Sequence, residues 1–217
     1  MKNKIKILAF FIVLALAILA CSAFSGGSDT GSSGDANILF EDDFSRESSG
    51  WDRENYGDGI TDYDNGAYKI SIYTDSLFFW ASPYQDFDDV IVEVQAQKTS
   101  GEDDMQYGLI CKHQDVENWY ALIVTADGFA AIRKRYAGGE LDFITDWAEV
   151  PGLNTGNGTN LLRAECIGDR LALYVNGELA IETYDSDITS GDAGLIAGTF
   201  EQPSAEVMFD NFIVRQP

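Results

Sequence analysis

The sequence predicts an all-β chain folded as a two-sheet antiparallel sandwich. Three observations carry that prediction. About thirteen short segments of strand character recur after residue 36, separated by turns rich in Gly, Asn and Asp. No segment there sustains a helical period. Nothing repeats at the roughly 20–50-residue spacing of propellers and solenoids. Many short strands without helices pack as two sheets face to face.

The clearest local statement is Leu171 to Tyr184, which reads as two strands folded back at Asn176-Gly177. Leu171, Leu173, Leu179 and Ile181 are all odd-numbered, and side chains alternate faces along a strand. A two-residue turn would pair Leu173 with Ala180 and put Leu179 on the opposite face. A three-residue loop, Val175 to Gly177, pairs Leu173 with Leu179 and Leu171 with Ile181. The expectation is therefore a type I turn with Gly177 left-handed and a bulge there. Arg170, Ala172, Tyr174, Glu178, Ala180, Glu182 and Tyr184 would then face outward.

The chain opens on a processing segment, residues 1–21. Lys2, Lys4 and Lys6 precede an apolar run of 14 residues, Ile7 to Ala20, short of the ~20 needed to span a bilayer. It ends Ile18-Leu19-Ala20-Cys21, which resembles a bacterial lipobox and implies cleavage before Cys21 and acylation of that residue. Several acyl chains make a stable anchor. Residues 22–36 form a Gly/Ser-rich linker with a reach of roughly 20 Å, so the expected domain, 37–217, is tethered at a membrane surface and not embedded in it.

In that domain strands are expected near 38–44, 67–73, 77–81, 90–97, 105–113, 118–125, 129–136, 141–145, 160–167, 170–175, 178–184, 193–200 and 206–214. Val90, Val92 and Val94 alternate with Ile91, Glu93 and Gln95. Met105, Tyr107, Leu109 and Cys111 alternate with Gln106, Gly108, Ile110 and Lys112.

The formal net charge is −22. Removing the three lysine charges of the leader leaves −25. Such a surface lacks the cations that neutralise phosphate, which excludes nucleic acid as a partner. It suits solubility outside the cell or the binding of cations. Cys111 and Cys166 both fall in expected strands. They pair if the chain reaches an oxidising space, or remain two buried thiols.

Several segments together resemble the concanavalin A-like jelly-roll domains, and among them the laminin-G-like and keto-disaccharide-hydrolase-like domains of bacterial surface proteins. They are Phe40-Glu41-Asp42-Asp43-Phe44 with Trp51, Asp64 to Ile70, Tyr107 to Lys112, Asn118-Trp119-Tyr120, Asn160 through Gly177, and Phe209 to Val214. The resemblance covers about residues 38–217. It implies a jelly-roll sandwich, and it leaves open lectin, glycosidase and adhesion roles.

Three constellations are candidates for chemistry. The resemblance to glucanase jelly rolls implies a structural calcium ion near Asp43, Gly66 and Asp210, since calcium accepts backbone carbonyls with one or two carboxylates; the same acids would otherwise cap strand ends. Asp62-x-Asp64-x-Gly66 is no EF-hand, because Tyr73 stands at its twelfth position. Glycoside hydrolysis needs two carboxylates facing across a groove. The Glu-x-Asp-x-x-Glu run of the glucanases is absent, and the best substitutes, Glu93 and Glu165, are equally well read as solvated strand residues. His113, the only histidine, reads as an exposed loop-edge residue. The third candidate is a sugar-binding face, where rings stack on aromatic side chains and hydroxyls meet planar polar groups. Strand parity gathers Gln106, Lys112, Trp119, Arg133 and Arg135 into such a patch, while Trp51, Trp80 and Trp147 are left as core or rim. The expected role is a non-catalytic, lipid-anchored cell-surface module that binds glycan or another extracellular polymer. A glycosidase and a protein-binding adhesion module are the alternatives.

Overall fold

The computed structural model describes residues 37–217. The expected leader, its Cys21 and the linker lie outside the described residues. The strands are β1 (Ile38–Asp42), β2 (Glu54–Asn55), β3 (Gly59–Asp64), β4 (Ala67–Ile72), β5 (Phe78–Ala81) and β6 (Val90–Gly101). Next come β7 (Gln106–Asp115), β8 (Asn118–Thr125), β9 (Phe129–Arg135), β10 (Asp142–Phe143) and β11 (Ala148–Glu149). The chain ends with β12 (Thr159–Ile167), β13 (Arg170–Val175), β14 (Glu178–Tyr184), β15 (Asp192–Gly198) and β16 (Ala205–Arg215). They form two antiparallel sheets. One has nine strands in the order β14-β13-β12-β6-β16-β4-β3-β2, with β1 also on β16. The other has seven in the order β10-β9-β8-β7-β15-β5, with β11 also on β9.

Between the sheets lies one continuous core. Val90, Val92 and Val94 of β6 face in, as their alternation predicts, and meet Tyr107, Leu109 and Cys111 of β7. An aromatic cluster closes one end: Trp51 packs against Phe44 (5.1 Å between ring centroids), Tyr68 (5.3 Å) and Phe212 (4.8 Å). Cys111 and Cys166 are bonded, with Cα atoms 6.6 Å apart, joining β7 of one sheet to β12 of the other. The open choice between bridge and free thiols is thus settled as a bridge.

Three strands were not legible as such: β2, β3 and β11. β3 turns Gly59, Thr61 and Tyr63 inward, so its buried side has no aliphatic residue to mark it, and its Asp-rich outer side reads as loop. The hairpin also differs from expectation. Asn176 and Gly177 both have positive φ, +52° and +89°, the pattern of a two-residue type I′ turn. Val175 pairs with Glu178 and Tyr174 with Leu179, and the bulge lies further along, so that Leu173 meets Ile181. Leu179 is left exposed and Ala172 is fully buried. The turn chemistry decided the geometry, and the irregularity moved into the strand to restore Ile181 to the core.

Linking residues 55 apart restricts the unfolded chain by about 4 kcal/mol in the loop-entropy treatment. A Cys111→Ala/Cys166→Ala variant is expected to lose roughly that much unfolding free energy in a denaturant titration, and reductant should cost the native chain a similar amount while leaving the variant unchanged. A reductant-insensitive native midpoint would show that the bridge carries no stability.

Candidate ligand site

The outer face of the seven-stranded sheet is itself buried. Ile110, Trp119, Ala121, Ile123, Ala131 and Ile196 form a second apolar cluster there, covered by Phe78, Trp80 and Leu141. Its floor is low where glycines stand: a Cβ on Gly198 would meet the Phe78 ring at 2.4 Å, so only glycine lets that ring lie flat on the sheet.

Four of the five residues expected in a sugar-binding patch share this face. Trp119 pairs with Arg135, Ala121 with Arg133, and Gln106 with Thr125. They do not form an open patch. Gln106 is 0% and Trp119 2% exposed, and the Trp80 ring lies 5.6 Å from the Trp119 ring, tilted over it. Arg133 stretches across the face. It donates to Gln106 Oε1 (3.1 Å) and the Leu141 carbonyl (2.6 Å), and its guanidinium sits over Phe78 (4.8 Å) and Phe143 (4.3 Å). Arg135 donates to the Gly139 carbonyl.

Lys112 is elsewhere. It has φ +52° and the β7–β8 register shifts beyond Cys111. The kink sends its side chain into the sandwich, where it is 1% exposed and donates to the Gly168 carbonyl in the β12–β13 turn (2.5 Å). Burial pulls its pKa below the ordinary lysine value, against the opposing pull of Asp89, Asp169 and Asp185. His113 takes the outward position instead, half-buried, its ring 6.3 Å from that of Trp80.

Beside Trp80 and His113 a cavity of about 1000 Å³ opens at the β5 edge, between the segment around β2 and the β7–β8 turn. Tyr56, Trp80 and Tyr84 supply aromatic wall, and Asp52, Asp115 and Asp192 are among its carboxylates. Three contacts set its shape. Asp52 accepts the Ser82 amide (3.3 Å) and the Tyr84 hydroxyl, which pins a ring that is 71% exposed. That hydrogen bond pushes the Tyr84 phenol up to about 12. Asp192 is buried, which raises its pKa, while the Ser82 hydroxyl and the amides of Gln85, Ala193 and Tyr84 oppose the rise. It anchors the β5–β6 connection that carries Tyr84. His113 Nε2 is buried and has no hydrogen-bond partner.

The other candidates fall on the opposite sheet. Glu93 and Glu165 stand on neighbouring strands, β6 and β12, but on the outer face of the nine-stranded sheet, each held by arginine. Glu165 takes Arg163 (2.6 Å) and Arg170 (2.5 Å), and Glu93 takes Arg215 (3.1 Å). Asp43, Gly66 and Asp210 come from segments that the register draws to the middle of β16, where pairing passes from β4 (Phe209 with Tyr68) to β1 (Phe212 with Asp42). Asp43 is exposed and engaged by the Ser45 amide and hydroxyl, 3.0 and 2.6 Å. Asp210 accepts the Asn211 amide, 2.7 Å. Gly66 completes the β3–β4 turn with φ +82°. No three His, Cys, Asp or Glu side chains converge on a metal among the described residues. Asp42 Oδ2, buried in the same region, lacks a partner.

No protein-family model and no curated protein matches the chain. Solved structures do. A carbohydrate-binding module (CBM66) from Bacillus subtilis is 21% identical with TM-score 0.62, over 77% of this chain and 96% of that one. A galectin-like protein of unknown function from Bacillus subtilis is 16% identical, TM-score 0.63, over 82% and 96%. The Bacillus licheniformis β-glucanase is 9% identical, TM-score 0.60, over 82% and 98%. The fold is the concanavalin A-like jelly roll, an architecture shared by carbohydrate-binding modules and glucanases.

Burial holds the His113 imidazole below its ordinary value of 6.5, although Asp115 and Asp52 pull the other way. As the only histidine, it gives an unambiguous NMR titration, expected below that value. Because the unfolded chain then binds the proton more tightly, stability should fall as pH drops through 6.5 toward the folded pKa, and level off below it. His113→Gln should flatten this step; an unchanged pH profile would place the imidazole in solvent.

Proposed function

We propose that the protein is a cell-surface module, lipid-anchored through Cys21, that binds glycan without cleaving it, in the cavity beside Trp80. The observation that carries this reading is the cavity itself: a sugar-sized space walled by Tyr56, Trp80 and Tyr84 and edged by fixed carboxylates and an imidazole. Aromatic faces receive the C–H faces of sugars, and the polar groups receive hydroxyls. The disulfide accords with an oxidising, extracytoplasmic location. The carbohydrate-binding neighbour accords with the ligand class. The Arg133 cluster serves as the cover that positions Phe78, one wall of the cavity.

A glycan array probed with the native chain and with Trp80→Ala and Tyr84→Ala tests this. A selective hit should weaken by roughly tenfold or more in each variant, about 1.4 kcal/mol. Tyr84 is exposed, so its loss leaves the fold intact. A blank array would favour a protein-binding adhesion module, and turnover of the hit would favour a hydrolase.

We also propose that a structural calcium ion sits at the middle of β16, where its pairing passes from β4 to β1. Asp42 Oδ2 fits a cation better than Asp43, whose carboxylate is already engaged; Asp210 and the carbonyls of the turn would complete an oxygen shell. Asp42→Asn and Asp210→Asn should lower the melting temperature in calcium and not in chelator. Equal losses in both would reduce these acids to strand caps.

A further inference from the structure

The cavity beside Trp80 carries a charge that its aromatic walls do not require. Asp52, Glu54, Asp58, Asp86, Asp115 and Asp192 all line it, and no lysine or arginine does. Several cations of the described residues are committed elsewhere. Arg53, next to Asp52 in sequence, turns to Asp62 (2.6 Å) and Glu47 (3.2 Å). Lys69 takes Asp64 (2.7 Å), and Arg170 takes Glu165 and Glu182. Acids on an acidic protein ordinarily mark only a solvated surface. Here they ring a partly open space walled by Tyr56, Trp80 and Tyr84, which the His113 side chain also lines. A neutral imidazole offers a lone pair to an N–H or a hydrogen to a hydroxyl, so it does not cancel the charge around it.

The spacing of the acids limits what they can hold. No three of them converge on a metal-sized point among the described residues, and a bare divalent ion needs several oxygens at short range. Negative charge spread around about 1000 Å³ fits cations carried on a molecule the size of an oligosaccharide. The rings of Tyr56, Trp80 and Tyr84 offer an ammonium group their negative faces, and low-dielectric walls strengthen its attraction to the carboxylates. We infer that this cavity selects glycans bearing protonated amino groups, de-N-acetylated amino sugars, over neutral or N-acetylated ones. The inference rests on the glycan-binding reading of the same cavity and adds the charge class of the ligand.

The test is calorimetric titration of the full chain, in mild detergent at weakly acidic pH, with three probes. They are a glucosamine hexasaccharide, its N-acetylated counterpart and a neutral glucan hexasaccharide. The free amine is expected to bind about tenfold tighter than the other two, and the preference should shrink as salt is added. Asp58→Asn/Asp86→Asn, both exposed, should remove most of that preference by weakening the free amine about tenfold more than the neutral sugars. Asp104→Asn/Glu140→Gln, the same charge change on the surface outside the cavity, should leave the preference intact. Equal affinity for amine and N-acetyl forms would overturn the charge selectivity and leave glycan binding standing. Equal loss in the two double variants would overturn it too, reducing the preference to attraction by net charge. Failure of all three sugars to bind would remove the glycan reading together with this one.

Discussion

The turn of the backbone at Cys111-Lys112-His113 joins the core of this protein to its cavity. β7 is the middle of its sheet and is buried on both faces, so its polar end cannot simply alternate outward. Cys111 faces in and is fixed to β12 by the disulfide. Lys112 then takes a left-handed conformation, unusual for a residue with a Cβ. The conformation costs free energy, offset by the hydrogen bond of Nζ to the Gly168 carbonyl and by stem burial between the sheets. One consequence reaches the surface: His113 faces the cavity in the position that regular alternation would have given to lysine. A cation at that point would neutralise part of the acidic wall; a neutral imidazole does not.

Charge is partitioned in the same manner across the molecule. The outer face of the nine-stranded sheet carries cross-strand pairs, Arg170 with Glu182 and Glu165 and Arg215 with Glu93, and a pair along β12, Arg163 with Glu165. Pairs that remain partly exposed in this way add little stability individually, about 1 kcal/mol or less. Their larger effect is on the field: these three arginines are held on that face, while the cavity at the β5 edge of the other sheet is lined by carboxylates and by no lysine or arginine. Lys134 follows the same rule on a partly buried site, paired with Asp185 (2.5 Å) and Asp187 (2.7 Å).

The architecture was legible in the sequence because inward residues such as Val90, Val92 and Val94 alternate cleanly, and because the order of motifs from Phe40 to Val214 is that of a jelly roll. The site was legible only in part. Parity correctly assigned Gln106, Trp119, Arg133 and Arg135 to one face, but parity says nothing about what lies above a face. Trp80 reaches over from β5 to cover Trp119, and Phe78 and Leu141 cover the rest. Lys112 was misplaced because nothing in a lysine announces a left-handed kink. Tyr56, Tyr84 and Asp52 escaped notice because they sit in loops and short strands whose proximity is set by β3, the strand with no aliphatic face to signal it. The one available hint was the density of Tyr, Trp and Asp between residues 51 and 86.

The covered outer face decides where a ligand can bind. An open concave sheet offers a platform along its whole width. Here Arg133 spans that width, gripping Gln106 and the Leu141 carbonyl and lying between Phe78 and Phe143. Displacing it would leave the buried Gln106 Oε1 without its donor, a cost of about 1–3 kcal/mol for an unsatisfied buried group. The middle of the sheet is therefore closed, and the open space lies at the β5 edge. There the same Phe78 that packs on Arg133 forms a wall of the cavity, so the arginine shapes that space from behind.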